Sequence, residues 1–307
     1  MKKINVLVTG GAGFIGSHLC EKLLEKNYSV TVIDNLSIGK KKNISKKVKF
    51  IKKDILNYKS CDLACRNIDI VFHLAAKVSI RNSVNTLDED IRNNINGTIN
   101  ILNASAKNKV KKFIFASSMA VYKKKNNKPF FETDMTEPLS PYGVSKLAAE
   151  KYIMLMAPKM NIKPVILRLF NTFGTRQTMT PYVGVITIFV NNILNRKTCK
   201  IYGTGKQKRD FIYVGDVTDA FLLTIKSNKS VGQILNVGSG KIYSVNKIYN
   251  TIKKLMKKGK STHVKIDKTE LNYVAANIDK AKKVLGFKPI HSFEKKISEV
   301  IADISKR

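Results

Sequence analysis

A tyrosine and a lysine four residues apart are the side chains of this sequence best suited to acid–base chemistry. In the stretch SPYGVSKLAAEKY, Tyr142 precedes Lys146, and Ser140 and Pro141 are typical of a helix start. The pair is therefore expected on one face of a helix. A phenol beside an ammonium can take a proton from an alcohol. The same spacing also occurs by chance on helix surfaces, because lysine is abundant in this chain, so the surrounding elements must decide.

A glycine loop near the start of the chain is typical of dinucleotide binding. VTGGAGFIGSH places Gly10 at a tight turn, Gly13 where backbone can approach a pyrophosphate, and Gly16 where a helix packs closely on a strand. The helix N terminus adds free N–H groups and the positive end of the helix dipole. Asp34 ends the second predicted strand, where a carboxylate binds the adenosine ribose hydroxyls and repels a 2′-phosphate. The loop and this acid predict NAD as the cofactor.

Strands and helices alternate through the first half of the chain. This pattern predicts an α/β fold with a doubly wound parallel (Rossmann) sheet, and a smaller C-terminal α/β lobe for the substrate. We predict an NAD-binding domain over 1–170 and a second lobe over 171–307, with a strand near 233–240 that returns to the sheet. The predicted strands are 4–9, 29–34, 48–55, 69–76, 111–118 and 163–170, and the main predicted helices are 17–26, 88–107 and 142–157.

Two serines are predicted to lie between the catalytic candidates and the cofactor site. Ser117 and Ser118 end the fifth predicted strand, and open α/β sheets bind ligands at the carboxyl ends of their strands. Ser118 could hold the oxygen from which Tyr142 takes a proton. A Lys146 ammonium and a positive nicotinamide ring would both favour the phenolate, so we expect the pKa of Tyr142 to lie below its usual value near 10.

The net charge of +34 allows two interpretations. One is a nucleic-acid or anionic surface as partner. The other is a lysine-rich surface composition, which we favour because the lysines are spread along the chain while arginine is scarce. No specific nucleic acid is therefore expected, although anionic ligands should bind well. The four dispersed cysteines argue for a cytoplasmic location and against zinc, the four histidines suggest no metal, and no apolar run approaches the ~20 residues needed for membrane insertion.

Ten stretches spread over nearly the whole chain resemble one enzyme family. Among them are HLAAKVSIRNSV, FIFASSMAVY, PYGVSK, RLFNTFGTRQ and IYGTGKQKRDFIYV. On these motifs the chain resembles the extended short-chain dehydrogenase/reductase family, and within it the NAD-dependent nucleotide-sugar epimerases and dehydratases typified by UDP-glucose 4-epimerase. The resemblance implies a homodimeric isomerase that acts on a UDP-sugar.

The resemblance also implies roles for individual residues. It implies Ser118, Tyr142 and Lys146 as the catalytic set. The implied NAD contacts are Gly10, Gly13, Phe14, Ile15, Gly16, Asp34, Asn35, Ser37, Gly39, Asp54, Ile55, Leu74, Ala75, Ala76, Asn93, Tyr142 and Lys146. The implied substrate contacts are Ser79, Ser118, Asn171, Tyr202, Arg209 and Val274. Two alternatives stay open: Arg209 could pair with Asp210 instead of a diphosphate, and Asp54 could cap a helix.

The residues after the fifth strand bear on the reaction. Related dehydratases look like TDEVYG there, with acids that assist elimination of water, and related decarboxylases look like TSEVYG. This chain has Met119 and Ala120 instead. Epimerisation at C4 through a transient 4-keto sugar is therefore favoured. A dehydratase, decarboxylase or reductase of the same family stays open as an alternative. So does a non-catalytic NAD- or RNA-binding relative.

Residues 267–277 depart from the pattern RPGDVRHSLAD of the family. Asp267 and Thr269 replace its arginine and its glycine, so Lys265 or Lys268 would have to serve the diphosphate as a point charge. Val274 stands where a small side chain leaves room for an N-acetyl group. Because valine is of intermediate size, acetylated and plain hexoses both stay open.

Overall fold

The fold is described from a computed structural model over residues 3–78, 87–125, 127–179, 184–265 and 272–307. Its largest element is a parallel sheet of seven strands in the order β10-β6-β5-β4-β1-β2-β3. Numbered along the chain, the strands are β1 (Asn5–Thr9), β2 (Ser29–Ile33), β3 (Lys49–Ile51), β4 (Ile70–His73), β5 (Lys112–Ser118), β6 (Lys163–Leu169), β7 (Asn171–Phe173), β8 (Cys199–Tyr202), β9 (Lys208–Tyr213), β10 (Gln233–Val237), β11 (Ile242–Ser244), β12 (Ser261–Val264) and β13 (Tyr273–Val274).

Helices connect and cover these strands. They are α1 (Phe14–Glu25), α2 (Tyr58–Cys65), α3 (Leu87–Asp90), α4 (Gly97–Lys107), α5 (Pro141–Lys159), α6 (Val185–Leu194), α7 (Val214–Lys226), α8 (Val245–Met256), α9 (Asp279–Leu285) and α10 (Phe293–Ser305). A π-helical segment, Ile91–Asn96, joins α3 to α4. Within the described ranges, no helix is both long and apolar enough to span a bilayer.

The apolar strands explain why the sheet is covered on both faces. In β1, Val6 and Val8 pack into one core with α1 and α7, while Leu7 between them packs into another with α2, α4 and α5. Successive side chains of a strand point to opposite faces, so an unbroken apolar run supplies both layers. The carboxyl ends of the strands are left at one edge, which is where the glycine loop and Ser118 lie.

A smaller lobe follows β6. Its sheet has the order β11-β9-β13, and β7 pairs with β9. A separate apolar core forms between this sheet and helices α6, α8 and α10. The strand β10, from the C-terminal half of the chain, lies beside β6 in the large sheet in parallel register. The division into two domains at residue 170 stays a prediction.

Two predicted helices have different bounds in the structure. The first begins at Phe14 rather than residue 17, because Gly13 is its N-cap and the helix starts directly from the glycine loop. The predicted helix 88–107 is divided at the π-helical segment, where the Asn94 side chain is buried and bonds to neighbouring elements instead of solvent. The third strand is also shorter than 48–55, because the chain leaves the sheet after Ile51.

Candidate active site

The glycine loop is close-packed against two other segments of the sheet edge. Gly10 has a left-handed φ of +68°, and a Cβ there would lie 2.8 Å from the backbone of Ala75. A Cβ at Gly16 would lie 2.3 Å from the carbonyl oxygen of Gly10. Both positions therefore require glycine. Gly13 has no side chain to cap the first N–H groups of α1, which leaves them for an anion.

Asp34 is fixed by the loop that it is predicted to serve. Its Oδ2 accepts a hydrogen bond from the Ala12 N–H at 2.9 Å, and its Oδ1 accepts one from the Leu36 N–H at 2.8 Å. Burial raises the pKa of this carboxyl, and the two backbone donors oppose the rise. Each oxygen retains further acceptor capacity, which fits a pair of ribose hydroxyls. The cradle of glycines and this carboxylate together fit NAD.

The segment after β3 completes the predicted adenosine side. Asn35 donates from its amide to Asp54 Oδ2 at 2.9 Å, and the Leu56 N–H bonds Asp54 Oδ1 at 2.8 Å. Asp54 is not the cap of the next helix, because Asn57 Oδ1 accepts the Ser60 N–H at the start of α2. The helix-cap alternative for Asp54 is therefore wrong.

The other predicted NAD contacts surround the same edge. Phe14 and Ile15 open α1, Ser37 and Gly39 follow Asn35, and Ile55, Leu74, Ala75, Ala76 and Asn93 lie beyond β3, β4 and α3. A Cβ at Gly39 would touch Ala12, so this segment also lies against the glycine loop. Ile55 is nearly fully buried in the apolar core, while the amide of Asn93 donates to the carbonyl oxygen of Glu89 at 2.8 Å.

Thr9 and His73 position the loop after β4, although the sequence interpretation assigned them no role. The Thr9 hydroxyl accepts the N–H groups of Leu74 at 3.1 Å and Ala75 at 3.0 Å, and it bonds His73 Nδ1 at 2.7 Å. His73 Nε2 lies 2.9 Å from the Thr98 hydroxyl. Complete burial, with the nearby Lys146 charge, lowers the pKa of His73 to about 3. The imidazole is therefore neutral and structural at ordinary pH.

Tyr142 and Lys146 are buried side chains, which excludes the alternative of two surface residues. They lie one turn apart on α5, at 6% and 2% exposure. Ser140 caps the helix by accepting the Gly143 N–H at 3.1 Å. The Lys146 ammonium lies 4.1 Å from the centroid of the Phe115 ring of β5. The structure therefore places this pair against the carboxyl end of β5, next to Ser118.

The pKa values of this pair differ from the expectation. Burial raises the pKa of Tyr142 to about 12, the Asp90 charge adds to the rise, and a hydrogen bond with the Ser118 side chain opposes it. Burial lowers the pKa of Lys146 to about 7, and the Glu150 charge opposes that fall. The expected lowering of the Tyr142 pKa is therefore wrong for the protein alone. It stays a prediction for the complex, in which the nicotinamide charge is added.

Asn94 connects the loop after β4 to α5, the helix of Tyr142 and Lys146. Its Oδ1 accepts the Lys77 N–H at 2.9 Å, and its amide donates to the Ser145 hydroxyl at 2.9 Å. Ser145 in turn donates to the carbonyl oxygen of Tyr142 at 2.8 Å. Sequence reasoning missed this residue, although it lies in the quoted stretch NNINGTINIL. An asparagine within an amphipathic helix pattern was the available signal.

The small sheet holds three of the six predicted substrate contacts, Asn171, Arg209 and Val274. In register, Val274 of β13 lies beside Arg209 of β9, and Asn171 of β7 lies beside Phe211 of β9. Asn171 also donates to the carbonyl oxygen of Asp210 at 3.0 Å. Tyr202 lies at the end of β8, in a separate pair with β12. Ser79 and the departures at 267–269 lie outside the described residues.

The Asp210 carboxylate is directed to other groups of this lobe. It accepts the N–H and the hydroxyl of Ser239 at 2.8 and 2.6 Å, the Gly240 N–H at 3.0 Å and the Ala276 N–H at 3.3 Å. Asp210 is fully buried, and burial raises its pKa against these donors. It thereby ties β9 to the loop after β10 and to the segment after Val274.

Comparison with known proteins identifies the family. The profile of the NAD-dependent epimerase/dehydratase family matches residues 6–238. This chain belongs to that family. It is 40% identical over 300 residues to a Methanocaldococcus jannaschii protein provisionally named UDP-glucose 4-epimerase, covering 96% of this chain and 97% of the relative. The comparison confirms the predicted family and its dependence on NAD.

Two further relatives of this epimerase/dehydratase family show its range. The chain is 35% identical over 317 residues to the UDP-N-acetyl-alpha-D-glucosaminuronate decarboxylase of Bacillus cytotoxicus, with 98% and 97% of the two chains covered. A crystal structure of UDP-glucose 4-epimerase from Thermotoga maritima with UDP-glucose matches at a TM-score of 0.94 and 34% identity over 99% of each chain. The predicted doubly wound fold is confirmed, whereas the family membership leaves the reaction open.

Proposed function

We propose that this protein catalyses NAD-dependent epimerisation at C4 of a UDP-hexose through a transient 4-keto sugar. The observation that carries the proposal is the buried Tyr142–Lys146 pair beside Ser118, at the edge where the glycine loop lies. Tyr142 supplies a base for oxidation, whereas Met119 and Ala120, which follow Ser118, supply no acid for elimination of water. The similarity to proteins named UDP-glucose 4-epimerase supports the same reaction.

In this proposal, side chains of the protein transfer the proton of the C4 hydroxyl and hold its oxygen. When bound, NAD supplies a hydride acceptor that can return the hydride. Tyr142 takes the proton of the C4 hydroxyl and later returns it, while Ser118 holds the same oxygen. Lys146, when charged, favours the phenolate and binds the nicotinamide ribose. The ketone turns over between the two proton transfers, so the same tyrosine serves both faces of the sugar.

The small sheet would hold the nucleotide. In the proposal, Arg209 and Asn171 bind the diphosphate, because an arginine fork matches phosphate oxygens better than lysine does. Tyr202, Ser79 and Val274 complete the nucleotide and sugar contacts, with Lys265 or Lys268 in place of the family's second arginine. Val274 is buried beside Arg209, which is consistent with a side chain that limits the space beside the sugar.

A panel of UDP-sugars tests the reaction. The protein is incubated with UDP-glucose, UDP-N-acetylglucosamine and UDP-glucuronate, and products are separated by chromatography while free NADH is followed at 340 nm. We expect a C4 epimer of at least one sugar, with no change at 340 nm. A product that has lost water or carbon dioxide, or NADH that accumulates with turnover, would contradict epimerisation.

Decarboxylation of a UDP-hexuronate is the second candidate. The 35% identity to a decarboxylase across nearly the whole chain favours it. Related decarboxylases look like TSEVYG after the fifth strand, and Met119 and Ala120 do not supply that acid, so the identity alone supports this candidate. Release of carbon dioxide from UDP-glucuronate separates the two candidates. The homodimer, the cytoplasmic location and the absence of a nucleic-acid partner stay predictions.

A further inference from the structure

A third buried ionisable residue lies one turn beyond the catalytic pair. Glu150 follows Lys146 by four residues on α5 and is 1% exposed. Arg168 binds its carboxylate in a bidentate pair through one edge of the guanidinium: Nε donates to Oε1 at 3.0 Å, and Nη2 donates to Oε2 at 2.7 Å. The Ser117 hydroxyl also donates to Oε1. Tyr142, Lys146 and Glu150 therefore form one buried row along the helix.

The partners of Glu150 come from the two strands beneath α5. Ser117 of β5 and Arg168 of β6 are direct neighbours in the parallel register. Ser117 precedes Ser118, so the carboxylate is bound one residue from the proposed substrate contact. Arg168 is itself held, since its guanidinium lies 4.7 Å from the Tyr122 ring centroid. These contacts keep the Glu150 carboxylate in place.

The charges around Lys146 show what this carboxylate does. On α5 the charge of Glu150 acts on the ammonium, and on β5 the ammonium lies over the Phe115 ring. From β4 it faces His73, which stays neutral because its pKa is about 3. Asp90 of α3 acts on Tyr142. Burial favours the neutral amine, and the Glu150 charge opposes that effect.

We propose that Glu150, held in an ion pair by Arg168, is a positioning residue that keeps Lys146 charged for the reaction. The inference rests on the proposed function, because the proposed reaction is what requires Lys146 to be charged. A buried ion pair is weak support for fold stability. This one is placed where its carboxylate offsets the cost of burying a catalytic cation. Without it, Lys146 would lose its proton at lower pH and could no longer favour the Tyr142 phenolate.

The test compares a charge-free pair of substitutions with a control that keeps both charges. Glu150→Gln alone would leave Arg168 as an unpaired buried cation and would be strongly destabilising. The double variant Glu150→Gln/Arg168→Gln avoids this problem. Ser117→Ala is the matched control, because it removes one hydrogen bond to Glu150 and leaves the ion pair intact.

The titration of Lys146 is measured directly by NMR on the full chain labelled with 15N-lysine. The wild-type side-chain resonance should titrate at about pH 7, the pKa that burial gives Lys146, and it is assigned by its loss in Lys146→Met. In the double variant the midpoint should move about one pH unit lower or more, as expected for loss of a near opposite charge. In Ser117→Ala it should stay in place. An unmoved midpoint in the double variant, or an equal shift in Ser117→Ala, overturns the proposal.

Kinetics then relate this titration to catalysis. The alkaline limb of the pH profile of kcat should move down by the same amount in the double variant, and an unmoved limb would overturn the role in the reaction. If the wild-type protein converts no UDP-sugar, the proposed function fails. The NMR shift still decides whether Glu150 sets the charge of Lys146, so the two failures are distinguishable.

Discussion

Gly143 lies where α5 meets the turn after β5, and a methyl group at this position should separate Tyr142 from Ser118. A Cβ at Gly143 would lie 2.3 Å from the carbonyl oxygen of Ala120 and 2.9 Å from Pro138 Cβ. The Ala120 carbonyl belongs to the turn that Ser118 begins. In this turn the Ser118 Oγ accepts the Ala120 N–H at 3.2 Å. In Gly143→Ala the helix and this turn must therefore move apart.

The size of the effect follows from that distance. Ordinary contact begins at 3.4 Å, so the two backbones must separate by about 1 Å, and a misplacement of this size can cost roughly 100-fold in rate. Overpacking of this kind also destabilises by about 1–3 kcal/mol. We expect Gly143→Ala to fold and to retain NAD, because the glycine loop is untouched, and to lose about 100-fold in kcat.

Epimer formation, bound NAD and thermal stability are measured on the same preparation. Gly184→Ala is the matched control, because among the described residues a Cβ there meets only Gln177 Nε2, at 3.8 Å, and the residue has a φ of −61°. This control should keep wild-type turnover and stability. Wild-type turnover in Gly143→Ala would refute the claim that close packing at this turn holds Tyr142 against Ser118.

Three other predictions concern the cofactor, pH and salt. Asp34→Asn should weaken NAD binding roughly 10-fold, because the ribose hydroxyls lose a charged acceptor, and it should reduce the ratio of NAD affinity to NADP affinity. If calorimetry gave the variant the same NAD affinity as the wild-type protein, the assignment of Asp34 would be contradicted. The pKa of His73 is about 3 in the folded protein, below its value in the unfolded chain. The contribution of the neutral imidazole to stability is therefore present above pH 6.5 and is lost as the pH falls toward 3. Urea unfolding from pH 7.5 to 5 should show this loss, with a slope of up to about 1.4 kcal/mol per pH unit that is smaller in His73→Gln. With a net charge of +34, kcat/KM for a UDP-sugar should fall between about 20 and 300 mM NaCl while kcat holds, and an unchanged kcat/KM would argue against electrostatic attraction of the substrate.

Local patterns predicted the packing of the glycine loop, because the contacts of this loop are encoded within one short stretch. Gly10 and Gly16 are needed for backbone contacts that arise wherever a strand, a turn and a helix follow one another in this way. Tyr142 and Lys146 share a helix face because of their spacing alone. The helix boundary at Phe14 was less predictable, because a glycine N-cap gives none of the side-chain signals of a helix start.

Features that depend on tertiary burial were not predictable. Spacing gave no measure of how far Tyr142 and Lys146 are removed from water, and burial decides both pKa values. In the sequence, Glu150 is not distinguishable from other polar residues of a helix, because its partner Arg168 lies on a neighbouring strand. Asn94 is similar, because its partners Lys77, Asp90 and Ser145 come from three separate segments.

The central claim, that Tyr142 exchanges a proton with the C4 hydroxyl beside NAD, is tested most directly with a UDP-hexose deuterated at C4. Wild-type protein should return the deuterium to C4 of the epimer. Tyr142→Phe should keep NAD yet lose at least about 100-fold in turnover, while Tyr152→Phe, an exposed tyrosine on the same helix, should be unaffected. Wild-type rates from Tyr142→Phe, or an epimer whose C4 deuterium has been lost to water, would contradict the account.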